Sequence, residues 1–275
     1  MEGGAALPFG FAMELLDLSQ DFSMHTPAFA SYTGPSIKWV KRLTFDKAGG
    51  QEITSTLHVS THLDAPAHFL SGGKFIGDLP LDFLTGPACV VDLERMGLGD
   101  FDLYGPEHFE RWESDTGLRI ERGDILVIHT GYHKHYPENW ADSRANVDET
   151  KYFIRHPGPT RAFAEWVLDR GIRWLAVDAG SADHPMNTVI RRLRADEAED
   201  AEAKLGRSLD EIFPKADYQI MHTLLFPHDV IHIENLGGDI DKVLDQRLMF
   251  GCFPWRFVGG EAAFCRAVAF PGQAL

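Results

Sequence analysis

Cysteine is scarce in this chain, with 3 among 275 residues. Cys89, Cys252 and Cys265 form no CxxC pair and no Cys–His spacing of the zinc-finger kind. That excludes a disulfide framework and a thiolate zinc site. Cys89 and Cys265 fall in apolar runs, where a thiol acts as a small buried hydrophobe. The expectation is a cytoplasmic protein with reduced thiols. Positive charge is also short: 26 Lys plus Arg stand against 41 Asp plus Glu, a formal balance of −15. A binder that tracks phosphates needs a basic surface, so nucleic acid is excluded as a partner, and so is adhesion to anionic membrane lipid. No apolar run reaches the roughly 18 residues of a membrane-spanning helix. Met1–Gly4 carry no basic charge, and Pro8 and Glu14 interrupt the apolar stretch that follows, which argues against a secretory leader. Internal repeats, low-complexity tracts and Pro/Ser-rich linkers are missing, so residues 1–275 read as a single domain. What the chain does have is 19 Phe and 6 Trp, ample material for a core, and 13 histidines. The histidines are the feature out of line.

Runs rich in β-branched and apolar residues predict strands over Glu52–Ser60, Ala88–Leu93, Asp124–Thr130, Ile172–Asp178, Val230–Leu236 and Cys265–Phe270. Helical patterns lie between them. Pro106–Thr116 places Phe109 and Trp112 on one side and acids on the other. A second helix is expected with Gly158 as N-cap and Pro159 at the first helical position, closing at Arg170-Gly171. The segment Arg191–Lys215 is nearly all charge and Ala, with a thin apolar set of Leu193, Leu205, Leu209 and Ile212. It reads as a solvated helical insert between core strands. Strands and helices that alternate without a linker predict an α/β domain.

The sharpest feature is His58-Val-Ser-Thr-His62-Leu-Asp64-Ala-Pro66-Ala-His68. The three histidines and the aspartate all occupy even positions. In an extended segment residues two apart share a side, so the four side chains converge. A helix does this worse, since Asp64 would sit about 200° around from His62, and Pro66 forbids a helix interior. The pattern predicts a strand running into a loop, one face lined by imidazoles and a carboxylate. That is the donor set of Zn²⁺, Mn²⁺ or Fe²⁺. A half-buried strand with a His-rich polar face is the bland alternative, and three histidines in phase with an aspartate outweigh it.

A second cluster lies downstream at His222, His228, His232 and Glu234. In the run Val230–Leu236, His232 and Glu234 interrupt an otherwise apolar face. A lone buried Glu is costly without a cation. The residues alone leave open which of the three histidines joins it.

These motifs resemble the cyclase family of metal-dependent hydrolases, which includes kynurenine formamidase and isatin hydrolase. The family's stretch His-x-Gly-Thr-His-x-Asp-x-Pro-x-His is matched from His58 to His68, with Ser60 in place of the Gly. Asp17-Leu18-Ser19, Gly86-Pro87-Ala88, Gly123-Asp124, His156-Pro157-Gly158, Asp178 with Ser181 and Asp183, and His222…Glu234-Asn235-Leu236 follow in the family's order. The charged insert is not a feature associated with the formamidases. The resemblance implies a single α/β domain with a mixed, barrel-like β core flanked by helices, of the swivelling β/β/α type, assembling as a homodimer or homotetramer. It implies that His58, His62 and Asp64 hold one divalent ion, Zn²⁺ or Mn²⁺. Asp64 and Glu234 would bridge to a second that His222 also binds, giving one or two ions per subunit. His68 would transfer protons. His228 and His232 match no ligand position and read as structural or pocket-lining.

The expected reaction is hydrolysis of a C–N bond in a small formamide or cyclic amide by metal-activated water. A lactone hydrolase or dehydrating cyclase is a second reading, and a non-catalytic metal- or ligand-binding protein on the same fold a third. Phe69 and Trp255, with Phe253 and Tyr132, suit a flat small-molecule substrate, and Arg155 or Arg256 could hold a carboxylate. Ser181 with His184 raises a serine-hydrolase arrangement, but no Gly-x-Ser-x-Gly elbow surrounds Ser181.

Overall fold

A computed structural model describes residues 14–30, 32–136 and 149–273. Among the described residues twelve strands run in chain order as β1 (Leu16–Asp17), β2 (Ser36–Lys41), β3 (Gly50–Thr54), β4 (His62–Asp64), β5 (Thr85–Asp92), β6 (Leu103–Tyr104), β7 (Ile125–His129), β8 (Gly158–Pro159), β9 (Trp174–Val177), β10 (His232–Glu234), β11 (Gln246–Pro254) and β12 (Ala262–Phe270). Seven of them, in the order β12-β11-β5-β7-β9-β10-β4, close into a barrel when β4 pairs back onto β12. β5, β7, β9 and β10 are mutually parallel, and β11, β12 and β4 pair antiparallel. The mixed barrel of the α/β expectation is present, and helices cover it.

The parallel strands β5, β7 and β9 are apolar on both faces through most of their length because both faces are packed. Ala88, Val90, Ile125, Val127, Trp174 and Ala176 fill the barrel with Phe250 and Ala267. Their alternates Cys89, Val91, Leu126, Ile128, Leu175 and Val177 pack outward against Phe109, Trp112, Phe163 and Val167. Those four come from the helices Pro106–Thr116 and Arg161–Arg170. All three cysteines are free and buried. No helix among the described residues is long and apolar enough to cross a membrane.

Four expectations are corrected. The expected strand Glu52–Ser60 stops at Thr54, and His58–Ser60 turns instead, with Ser60 at φ +55°. The N-cap of Arg161–Arg170 is Thr160, whose hydroxyl accepts from Phe163 N–H, a bond that Gly158 has no side chain to make. Gly158–Pro159 pairs with β6 instead. β11 was not anticipated, because Met249, Gly251 and Phe253 blur its alternation. Finally, the charged insert is not merely solvated. Its helices Ile190–Leu193, Ala195–Leu205 and Leu209–Ile212 bury Ile190, Ala201 and Leu209 against Phe101, Met186 and Phe213. Buried Glu197 accepts from Arg155 (2.7 Å) and Arg194 (3.0 Å), so Arg155 is engaged there.

Candidate metal centre

The centre lies on the outer face of the β4–β10 pair. Leu63, Ile231 and Ile233 point into the barrel, so the intervening residues point out. The antiparallel register sets His232 opposite Asp64 and Glu234 opposite His62. Four polar side chains therefore form a square on one patch of sheet. β4 is confined to three residues by the left-handed turn at Ser60 and by Pro66, which opens the 3₁₀ turn Pro66–His68. His222 comes in from the short helix Ile220–Thr223. Asp183 anchors that helix, accepting from Met221 N (2.9 Å) and from His222 Nδ1 (2.6 Å).

Asp64, His222, His232 and Glu234 each offer one ligand atom, and these atoms lie within 4.8 Å of one another. His58, Asp64 and His68 meet the same test. His62 Nε2 stands 3.4 Å from Asp64 Oδ1 and 3.6 Å from Glu234 Oε2. His58 Nδ1 lies 3.1 Å from Asp64 Oδ1. His58, His62, Asp64, His222 and Glu234 thus converge, as does His68. Convergence of the first motif owes more to the turn at Ser60 and the 3₁₀ turn than to one strand in phase.

The donor set fits a cation. His62 Nδ1 bonds Ser60 O and His222 Nδ1 bonds Asp183, so in both rings the proton sits on Nδ1 and the Nε2 lone pair faces the centre. His62 Nε2 and both oxygens of Asp64 are buried without a hydrogen-bond partner. Lone pairs aimed at carboxylates repel unless a positive charge sits among them. Burial and the charge of Asp64 push the Glu234 carboxyl up, and burial drives His62 and His232 down to about 4. Against their burial, the carboxylates of Asp64, Glu261 and Asp183 pull His58 and His222 up to about 10, so with no cation bound these two rings supply the positive charge the carboxylates demand. Glu234 is held by Ala182 N–H (2.8 Å) and Ser181 Oγ (3.3 Å).

Three further residues stand at this centre: His232, expected as structural or pocket-lining, and Glu261 and Tyr32, for which the sequence carries no expectation. His232 Nε2 sits 3.2 Å from His222 Nε2, 3.5 Å from Asp64 Oδ2 and 3.6 Å from Glu234 Oε1, within the ligand group rather than beside it. Its two-residue spacing from Glu234 was the available signal. Glu261 Oε2 lies 2.8 Å from His58 Nε2 and 2.9 Å from His68 Nδ1, joining a ligand candidate to the proton-transfer candidate. Nothing local in the sequence marked it. Tyr32 stacks on His58 with ring centroids 5.0 Å apart.

A cleft of about 260 Å³ opens onto these groups, lined by Phe69, Tyr32, His68, Tyr218 and Gln219 among others. Phe69 packs against His222, centroids 4.4 Å apart. Trp255 is 62% exposed and lines two other hollows. The structure does not bring it to the cleft, because it lies beyond the end of β11. Arg256 lines one of those same hollows. His228 is exposed on the 3₁₀ turn Phe226–His228. Ser181 and His184 do not pair: His184 Nε2 donates to Phe101 O and its Nδ1 accepts from Met186 N.

A family model described as putative cyclase matches residues 16–184 of the chain. Kynurenine formamidase of Bordetella pertussis (strain Tohama I) is 26% identical over 208 residues, covering 75% of this chain and 88% of that protein. Kynurenine formamidase of Salinibacter ruber is 24% identical over 258 residues, 93% of this chain and 97% of that one. Among solved structures, isatin hydrolase A from Labrenzia aggregata, bound to benzyl benzoate, superposes with a TM-score of 0.73 at 18% identity, over 94% of this chain and 93% of its own. That last likeness is one of fold.

Proposed function

The chain belongs to the cyclase family, and from that premise we propose that it is a metal-dependent hydrolase cleaving the C–N bond of a small formamide or cyclic amide. The observation that carries the reading is the inward set of unpartnered lone pairs, His62 Nε2 and both Asp64 oxygens, within reach of Glu234 and His222. His58, His62 and Asp64 would hold one ion, and Asp64, Glu234 and His222, with His232, a second. A divalent ion bound there supplies Lewis-acid activation of water near neutral pH and polarises a carbonyl.

The chain's own groups supply the rest. Glu261 accepts from His68 Nδ1, which leaves the Nε2 lone pair free to take a proton from water and return it to the leaving nitrogen. His68 is only partly buried, on the cleft wall, where substrate can reach it. Phe69 and Tyr32 wall the cleft with flat surfaces suited to a planar substrate. A hydrogen-bonded His–Glu pair beside the ligands serves catalysis and is superfluous for mere binding. Ring-opening of a lactone would use the same groups.

The deciding experiment is elemental analysis of purified protein, then assay of N-formylkynurenine, isatin, simple imides and lactones with and without chelator. Chelator-sensitive turnover of a formamide or cyclic amide is the expected result. Turnover confined to lactones, or indifferent to chelator, defeats the C–N reading.

Assembly with a second copy of the chain belongs to the same proposal. The two-stranded ribbon β2–β3 and its connection leave Trp39, Val40, Leu43, Phe45 and Ile53 more than half exposed. An isolated ribbon is marginal in water, and a homodimer or homotetramer would cover it. Light scattering should give at least twice the 30.8 kDa chain mass, and a monomer at micromolar concentration would refute the assembly.

A further inference from the structure

The carboxyl ends of the parallel strands β5, β7 and β9 gather a second set of acids and imidazoles that shares no residue with the centre above. Asp92 ends β5, His129 ends β7 and Asp178 follows β9, while Glu94, His133 and Asp241 come from adjoining turns. His129 is fully buried. Its Nδ1 lies 2.8 Å from Asp92 Oδ1, which fixes the proton on that nitrogen, and its Nε2 is buried with no hydrogen-bond partner. This bare nitrogen faces three carboxylates: Asp241 Oδ1 at 3.4 Å, Asp178 Oδ2 at 3.8 Å and Glu94 Oε2 at 3.9 Å. His133 completes the group, with Nδ1 3.0 Å from Asp178 Oδ2 and Nε2 3.4 Å from Asp241 Oδ2.

Two arguments point to a cation. The first is distance. The three separations around His129 Nε2 exceed the usual N–H···O range of about 2.7–3.2 Å. The 3.4 Å to Asp241 suits neighbouring ligands on an ion with bonds of about 2.0–2.2 Å, which stand roughly 3–3.5 Å apart, and the separations to Asp178 and Glu94 are a few tenths of an ångström wider. The second is charge. Asp92, Glu94, Asp178 and Asp241 carry four negative charges; Lys134, paired with Glu94, returns one, and Asp178 is further stabilised by Thr130 N–H, Thr130 Oγ and Gly131 N–H. Of the remaining deficit, two charges can come from two imidazoliums or from one divalent ion. Burial opposes and the surrounding carboxylates favour a charged ring, with a net upward shift of His129, but an N–H on Nε2 would find only Asp241 Oδ1 at 3.4 Å, a poor partner for a buried donor. An ion needs the nitrogen as it stands.

We propose that this group is a second divalent-cation site. His129 Nε2, His133, Asp178 and Asp241 hold the ion, and Asp92 orients His129 from behind, as carboxylates commonly do for ligating imidazoles. Mixed imidazole and carboxylate donors suit Zn²⁺ or Mn²⁺. The site ties the ends of three core strands to the loop carrying Asp241, so its role is to hold the barrel rather than to react.

The test uses the full chain with Asp64→Ala and His222→Ala, which disable the first centre, and Zn²⁺ as the probe. Calorimetric titration should still find one Zn²⁺ per chain, and Zn²⁺ should raise the unfolding temperature. Adding Asp241→Ala, at a half-exposed side chain, should weaken that binding by about tenfold or more, the usual scale for a lost metal contact. Adding His129→Gln should abolish it. In the otherwise unaltered chain, His129→Gln should lower zinc content by one ion per subunit, which keeps the test decisive if the multiple variants fail to fold. A folded double variant that takes up no Zn²⁺ overturns the site in favour of two imidazoliums. So does uptake indifferent to both Asp241→Ala and His129→Gln. None of these readouts depends on hydrolytic activity.

Discussion

At the scale of single residues, the centre separates groups that hold charge from groups that move it. Asp64 is buried with both oxygens aimed at imidazole nitrogens. Asp64→Ala should therefore deplete bound metal, read by elemental analysis. His68→Ala should keep the metal and lose about 10²–10⁴-fold in turnover, the range of a positioned acid–base group; normal turnover in that variant removes His68 from the mechanism. Glu261 acts through others. A single oxygen accepts from His58 and His68 and so fixes which nitrogen of each ring carries the proton. Glu261→Gln keeps the shape and loses the charge, and should lower kcat by about 10–100-fold with KM little changed. Rescue by Glu261→Asp, with metal content constant, would separate this positioning role from a merely structural one.

At the scale of elements, register is the decisive variable. A slip of one residue by β4 against β10 would turn His62 and Asp64 into the barrel and Leu63 out to the cleft, away from His232 and Glu234. Burial of the leucine and isoleucine thus fixes the ligands' direction. The 3₁₀ turn that carries His68 rests on Gly73. A Cβ there would approach Pro66 C at 2.6 Å and Ala67 N at 2.7 Å, contacts with backbone that cannot yield. Gly73→Ala should displace the turn and cost up to about 100-fold in turnover, as small misplacements of catalytic groups do. Metal content should stay intact, since His62 and Asp64 lie on β4. Unchanged turnover would show that the turn tolerates the shift.

At the scale of the molecule, buried neutral imidazoles tie stability to pH. Burial lowers His156 to about 4 and His184 to about 3. His184 must be neutral, since its Nδ1 accepts from Met186 N while Nε2 donates to Phe101 O. The unfolded chain protonates such a histidine near pH 6.5, so it binds more protons than the folded chain below that value. Stability is thus complete above about pH 6.5 and falls as pH drops towards the folded pKa, at up to about 1.4 kcal/mol per unit for each group. Urea unfolding at pH 7 and pH 5 should show a steeper loss in the parent than in His184→Gln. Equal slopes would mean that another group carries the effect.

The linear chain by itself determined the first half of the centre and the class of fold. His58, His62, Asp64 and His68 lie within eleven residues, and local chain geometry is enough to bring such neighbours together. Apolar, β-branched runs alternating with helical patterns announced an α/β domain. Tertiary structure decided what depends on distance in sequence. Closure of β4 onto β12 sets Glu261, 193 positions beyond His68, against His58 and His68. Pairing of β4 with β10 brings His232 into the ligand group, and Asp183 fixes His222 from a separate loop. The same holds for His129, Asp178 and Asp241, whose separate runs gave no sign of meeting. Spacing encodes only contacts between near neighbours; the others exist because a closed barrel juxtaposes strand ends that the sequence keeps far apart.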